Sequence, residues 1–227
     1  MAGKIHKYDC YDLRKFGPDK IMTFVDIGAN VGTTSIMARI LFPRARILAF
    51  EPAPETFEKL SFFKSWFIEC HQLALGDGTK LSYDKSGHSG LSKFYSEQEK
   101  KWWKQDQIMI ESKTLPQIFQ DHKIDIEKPY IIKMDCEGGE RFILNDNNAI
   151  ELVRKSVQSI FEIHIGLGGT TEQWQEWFGR FADTHELRLG QWEDKHGPNR
   201  RYIYKPVEKF DFDGKSTVEL IRTDFTI

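Results

Sequence analysis

The sequence predicts an α/β protein with a mostly parallel β-sheet that helices cover on both faces. Short apolar runs alternate with segments of helical periodicity through most of the chain, and this alternation is typical of parallel sheets. The chain has 227 residues, of which 40% are hydrophobic, so it can bury a full core. No internal repeat or low-complexity segment is visible. We therefore expect a single domain over residues 1–227.

Five short apolar runs, each bounded by polar or turn-forming residues, predict the parallel strands. They are residues 21–27, 46–51, 67–75, 130–135 and 156–165. Between the third and the fourth, residues 78–112 predict a hairpin or loop insertion. Residues 186–192 and 200–206 predict two late antiparallel strands, and the tail at 207–227 contains a further candidate strand.

Helices are predicted between these strands, over residues 33–42, 54–64, 114–122, 139–154 and 170–181. Pro43 ends the first, and Pro54 begins the second at a position where proline is favoured. The fourth is predicted to break near residues 145–148. In the fifth, Thr170 and Gln173 have the spacing of a capping box, and an aromatic stripe predicts a core-facing side.

Charge and cysteine content restrict the class of protein. The 32 Lys and Arg residues nearly balance 34 Asp and Glu, which gives no overall electrostatic case for nucleic-acid or membrane binding. Three widely spaced cysteines predict reduced thiols. The N-terminal segment is charged, and no apolar run is long enough to span a bilayer. These features predict a cytoplasmic protein without a membrane span.

The stretch from Val25 to Ser35, VDIGANVGTTS, predicts a ligand-binding turn between the first strand and the first helix. A dinucleotide-binding turn reads GxGxxG, whereas Asn30 stands here where the second glycine belongs. Asp26, just before the turn, would repel a diphosphate but suits an ammonium group or hydroxyls. Glu51 ends the second strand about 20 residues later, where an acid typically accepts hydrogen bonds from ribose hydroxyls. The pattern favours S-adenosylmethionine over a nicotinamide cofactor.

The chain resembles the FkbM-type S-adenosylmethionine-dependent methyltransferases. The resemblance covers residues 21–166 and rests on VDIGANVGTTS, LAFEPAPETFEKL, LALGD, SGHSGLS, IIKMDCEGGERFIL and FEIH. It implies a Rossmann-like, seven-stranded, mostly parallel sheet with a terminal antiparallel hairpin and helices on both faces. It also implies methyl transfer to an oxygen of a sugar, glycoconjugate or other small acceptor.

The resemblance further implies where the cofactor lies. Four residues of the turn would surround its methionine part: Asp26, Gly28, Asn30 and Gly32. Glu51 would hold the ribose. Ala74 and Leu75 would line the adenine, with Asp77 nearby. Ser89 would lie near the cofactor or the acceptor.

Charged residues gather at the ends of two strands that this fold places side by side. Lys133, Asp135 and Glu137 alternate at the end of the fourth strand, and Glu162 and His164 do so at the end of the fifth. Burying such groups is costly without a function. We therefore predict that His164 is the general base, that Glu162 orients it, and that Asp135 anchors the acceptor or the cofactor. Glu137 is predicted to orient a hydroxyl or to cap the next helix.

Other functions stay open at this stage. Asp135 and Glu162 are also candidate ligands of a divalent cation such as Mg²⁺. An RNA ribose 2′-O-methyltransferase is an alternative, although Glu162 stands where such enzymes carry a lysine. A non-catalytic cofactor-binding module is another. Candidate specificity segments are residues 84–106, with His88, Trp102 and Trp103, and residues 166–171. The expected partner is a small-molecule or carbohydrate acceptor, with no nucleic acid.

Overall fold

The computed structural model describes residues 11–84, 93–95, 108–165, 169–193, 201–209 and 215–225. Strands in the described part are β1 (Thr23–Ile27), β2 (Arg46–Phe50), β3 (Ile68–His71), β4 (Ala74–Leu75), β5 (Lys80–Asp84), β6 (Lys93–Tyr95), β7 (Ile108–Lys113), β8 (Tyr130–Met134), β9 (Gln158–His164), β10 (His185–Glu193), β11 (Arg201–Pro206) and β12 (Lys215–Arg222). Helices are α1 (Thr33–Leu41), α2 (Pro54–Ser61), α3 (Leu115–Asp121), α4 (Asn147–Lys155) and α5 (Thr171–Gly179). Short 3-10 helices cover Leu13–Lys15, Phe62–Trp66 and Gly139–Ile143.

The main sheet has eight strands in the order β11-β10-β12-β9-β8-β1-β2-β3. The strands from β9 to β3 run parallel, and β12, β10 and β11 are added antiparallel to their neighbours. The predicted α/β fold with a mostly parallel sheet is confirmed, but the sheet has eight strands instead of seven. The additional strand arises because the tail forms β12, which is inserted between β9 and β10 while β11 extends the edge.

Helices pack on both faces because alternate residues of each central strand face opposite sides. Val25 of β1 packs in one apolar cluster with α3, α4 and α5, and Phe24 packs in another with α1, α2 and the segment around Leu13. Trp174 and Trp177 of α5 are 0% and 1% exposed, so the predicted aromatic stripe does face the core.

The predicted break in the stretch 139–154 is also observed. A 3-10 helix ends at Ile143, and Asp146 then caps α4 by accepting hydrogen bonds from the backbone N–H groups of Asn148 and Ala149. None of the described helices combines the length and apolar character needed to cross a bilayer.

A second sheet, in the order β4-β7-β5-β6, forms beside the main one. Its strand β4 follows β3 closely in the chain. Ala74 and Leu75 of β4 therefore lie close to the carboxyl ends of β1 and β8. Open α/β sheets bind ligands at these ends.

Candidate functional site

A cleft opens at the carboxyl ends of β1, β2 and β8. One wall is the turn after β1, with Gly28 and Asn30. A second wall is apolar and includes Leu73, Ala74 and Leu75. The cleft therefore joins a backbone-lined turn, an apolar slot and acidic side chains in one space, as small-molecule sites commonly do.

The turn after β1 depends on three residues with left-handed backbone: Gly28 (φ 76°), Asn30 (φ 52°) and Gly32 (φ 88°). The backbone N–H groups of Gly28 and Ala29 both donate to the carbonyl of Phe50, at 2.9 Å, which ties the turn to β2. Gly28 and Asn30 line the cleft, whereas Gly32 begins α1 and lies against Leu60. Backbone hydrogen bonds to β2 therefore hold the turn in place at the cleft.

Asp26 lies beneath this turn and not among the described residues that line the cleft. Its side chain is 0% exposed; Oδ2 accepts a hydrogen bond from Ser35, and Oδ1 lies 3.2 Å from Nζ of Lys133. Lys133 also donates to the carbonyl oxygen of Gly28, at 2.7 Å. Burial lowers the pKa of Lys133, but Asp26 and Asp135 outweigh this effect and raise the pKa above its usual value. The buried pair supports the turn from below, a role that sequence reasoning did not assign to Asp26.

Glu51 lines the cleft at the end of β2 and is fixed by two backbone groups. Its Oε2 accepts from the N–H of Asn30 and its Oε1 from the N–H of Ala53, both at 2.9 Å. Burial raises the pKa of Glu51 above its usual value, although these hydrogen bonds oppose the rise. Each carboxylate oxygen keeps a lone pair for a hydroxyl donor in the cleft.

Of the residues predicted around the adenine, Ala74 and Leu75 line the cleft. Asp77 is exposed, and its Oδ1 accepts hydrogen bonds from the backbone and the hydroxyl of Thr79, so its carboxylate is engaged in its own turn. Ser89 lies outside the described residues, as do His88, Trp102 and Trp103.

The ends of β8 and β9 meet as predicted. Asp135 and Glu137 line the cleft, and His164 lies behind Glu137, with Nε2 3.2 Å from the Glu137 carboxylate and 3.7 Å from that of Glu162. Burial lowers the pKa of His164, but Glu140, Glu137 and Asp135 outweigh it and raise the pKa above its usual value. His164 and Glu162 are not among the described residues that line the cleft. His164 would therefore act on a ligand through a neighbouring group.

Sequence reasoning missed Glu140. Its side chain is fully buried; one oxygen accepts from the N–H of Cys136, at 2.6 Å, and the other from the N–H of Gly138, at 2.8 Å. Glu140 thus holds the loop after β8. The signal was present in CEGGE, because an acid directly after a glycine pair has the backbone N–H groups of the preceding turn within reach.

Comparisons with known proteins show what the chain is similar to. The family model described as "Methyltransferase FkbM domain" matches residues 26–193. Methyltransferase sdnD of Sordaria araneosa is 28% identical over 67% of this chain and 71% of its own length. Hexuronic acid methyltransferase AglP of Haloferax volcanii is 31% identical over 63% of this chain and 56% of its own length.

The crystal structure of methyltransferase FkbM from Methylobacillus flagellatus aligns with a TM-score of 0.53 and 16% identity. The alignment covers 94% of this chain and 46% of that chain, so the present chain spans less than half of that neighbour. At this identity the likeness shows the fold. The family match over residues 26–193 covers most of the chain, and the resemblance predicted from the sequence motifs is confirmed: the chain belongs to the FkbM family of methyltransferase domains.

Proposed function

We propose that the domain transfers the methyl group of S-adenosylmethionine to a hydroxyl of a sugar or another small hydroxylated acceptor. The observation that carries the proposal is the cleft itself. It places the carboxylate of Glu51, fixed by two backbone N–H groups, between the glycine turn and the apolar Ala74–Leu75 slot. The turn would hold the methionine part, Glu51 the ribose hydroxyls, and the slot the adenine.

Cofactor choice is tested by calorimetry with S-adenosylmethionine and, separately, NAD. We expect S-adenosylmethionine to bind with one equivalent and NAD to bind far more weakly, because Asn30 replaces the glycine that a pyrophosphate requires. The reverse preference would overturn the proposal.

Replacing Glu51 with glutamine is expected to weaken S-adenosylmethionine binding by about 10- to 100-fold, the worth of a charge-assisted hydrogen bond. The amide NH₂ would also face one of the two backbone donors that Glu51 now accepts from. The measurement is the dissociation constant from calorimetry. The matched control is Glu58→Gln on the exposed side of α2, which should bind as the wild type does. Equal affinity of both variants would remove Glu51 from the ribose site.

The acceptor side of the cleft is acidic, which suits a ligand that presents hydroxyl donors. In the transfer, a bond forms between the acceptor oxygen and the methyl carbon while the bond from that carbon to sulfur breaks. The acceptor's proton must then go to a base. Glu137 is our candidate for this base, since it lines the cleft and its carboxylate lies 3.2 Å from Nε2 of His164. The similarity to a protein named as a hexuronic acid methyltransferase supports a sugar acceptor.

Replacing Glu137 with glutamine is expected to lower kcat about 100-fold while the dissociation constant of S-adenosylmethionine changes less than about threefold. Glutamine keeps the size of the side chain but cannot take up the proton. The assay measures S-adenosylhomocysteine release over a panel of hexoses, hexuronic acids and RNA. Full activity in Glu137→Gln together with loss in His164→Gln would return the base to His164. Turnover confined to RNA would favour the ribose 2′-O-methyltransferase alternative.

A further inference from the structure

Three side chains from separate elements converge behind the acidic wall of the cleft. Asp135 follows β8, Glu140 lies in the 3-10 helix Gly139–Ile143, and His164 ends β9. One ligand-type atom from each lies within 4.8 Å of the other two. Two ligand atoms that are each about 2.1 Å from a metal ion lie about 3.0–3.5 Å apart in octahedral or tetrahedral geometry. The three atoms would therefore have to move only a little closer together to bind one ion.

The histidine supplies an independent observation that points to a ligand. His164 is 7% exposed, and both ring nitrogens are buried without a hydrogen bond of adequate geometry. A buried polar atom without a partner costs about 1–3 kcal/mol. The ring points into the cluster, with Nδ1 3.6 Å from Oε1 of Glu140. The Glu140 carboxylate is an ion-pair neighbour of Nδ1 but lies too far away for a hydrogen bond, and an ion between these two atoms and Asp135 would give Nδ1 a direct bond.

We propose that Asp135, Glu140 and His164 bind one divalent first-row transition-metal ion. Imidazole nitrogen with two carboxylate oxygens suits Mn²⁺, Fe²⁺ or Zn²⁺ better than Mg²⁺, which prefers oxygen ligands and retains its waters. The ligand set differs from the pair considered from sequence, because Glu162 lies on the Nε2 side of the ring, away from Nδ1. Glu137, whose carboxylate lies 3.2 Å from Nε2, would accept a hydrogen bond from Nε2–H and thereby favour the tautomer in which Nδ1 coordinates the ion; Glu162 lies farther from Nε2, at 3.7 Å.

The neighbouring lysine leaves room for this ion. Nζ of Lys133 is 3.2 Å from Asp26 but 3.9 Å from Asp135, and its strongest contacts are Asp26 and the carbonyl of Gly28. Asp135 lines the cleft, so open coordination positions of the ion would face an acceptor. There the ion would lower the pKa of a bound hydroxyl. Metal binding does not depend on the proposed methyl transfer. Only the role of the ion towards an acceptor hydroxyl rests on that proposed function.

The proposal is tested on chelator-treated protein without cofactor or acceptor. Calorimetry with Zn²⁺ and paramagnetic resonance with Mn²⁺ measure affinity and stoichiometry, and Mg²⁺ is titrated in parallel. We expect one equivalent of Zn²⁺ and of Mn²⁺, weaker Mg²⁺ binding, and ¹⁴N coupling from one imidazole in the Mn²⁺ spectrum. No binding above the buffer background would overturn the proposal, whether or not S-adenosylmethionine binds in a separate titration.

Variants assign the site. His164→Gln and Glu140→Gln are each expected to weaken Mn²⁺ binding at least tenfold and His164→Gln to remove the ¹⁴N coupling. Because Glu140 also holds the loop after β8, circular dichroism checks that Glu140→Gln is folded. If that variant does not fold, His164→Gln alone decides the assignment. The control is His122→Gln: His122 and His71 lie with ring centroids 4.3 Å apart, away from the cluster. Loss of binding in His122→Gln but not in His164→Gln would place the ion elsewhere and overturn the assignment.

Discussion

Replacing Gly28 with alanine is expected to destabilise the domain by at least about 4 kcal/mol and to abolish measurable S-adenosylmethionine binding. A Cβ at this position would lie 1.8 Å from the carbonyl oxygen of Asp135 and 2.7 Å from its carbonyl carbon. Those atoms belong to backbone and cannot turn aside, because the N–H of Asp135 donates to the carbonyl of Ile27 at 3.0 Å. The added methyl must therefore separate β1 from β8 at the floor of the cleft. Urea unfolding and calorimetry measure the two effects.

A matched substitution separates this clash from a general effect of losing glycine. Gly179 is the last residue of α5, and a Cβ added there meets nothing within 4 Å. Gly179→Ala should be as stable as the wild type, or more stable by up to about 1 kcal/mol, because alanine is the better helix former. If Gly28→Ala unfolded at the same urea concentration as Gly179→Ala, the proposed close approach of the two strands would be wrong.

Replacing Lys133 with methionine is expected to lower the free energy of unfolding by about 3–5 kcal/mol. The side chain of Lys133 is 4% exposed and that of Asp26 is 0% exposed, so the substitution leaves a buried carboxylate without its cation. The substitution also removes the hydrogen bond to the carbonyl of Gly28, which should loosen the turn after β1. Urea unfolding measures the loss, and calorimetry measures the weaker cofactor binding.

Two comparisons test whether the uncompensated charge of Asp26 causes this loss of stability. In the double variant with Asp26→Asn, part of the loss should be recovered, with a coupling energy of about 1–3 kcal/mol. Lys155→Met removes a lysine whose carboxylate partner, Glu127, is on the surface, with side chains 41% and 76% exposed, and should cost less than about 1 kcal/mol. Equal losses in Lys133→Met and Lys155→Met would contradict the supporting role of the buried pair.

The sequence predicted the fold class and much of the cleft-facing part of the site. The strand periodicity and the glycine turn predicted where the cleft opens, since parallel strands expose their carboxyl ends together. Glu51 was predicted from its distance to that turn, and Ala74 and Leu75 from the family resemblance; all three line the cleft. These features depend on residues close together in the chain, or on the regular geometry of parallel strands.

Side-chain partners far apart in sequence could not be predicted in the same way. Asp26 was expected to face a ligand, but it pairs with Lys133, and nothing in either segment shows which way the other side chain turns. His164 was expected to reach the acceptor, yet the loop after β8 places Glu137 in front of it. The number of strands was underestimated for a related reason: the place of β12 in the sheet depends on which strand edge is free, which local periodicity does not report.

The position of β12 has a consequence for how the protein is made. Translation completes β9 and β10 before residues 215–222 exist, yet β12 must pair with both of them. Until then each strand keeps a row of unpaired backbone groups, the kind of edge that promotes aggregation. We therefore expect the nascent chain to be most prone to aggregation after β9 has been synthesised and before β12 has paired.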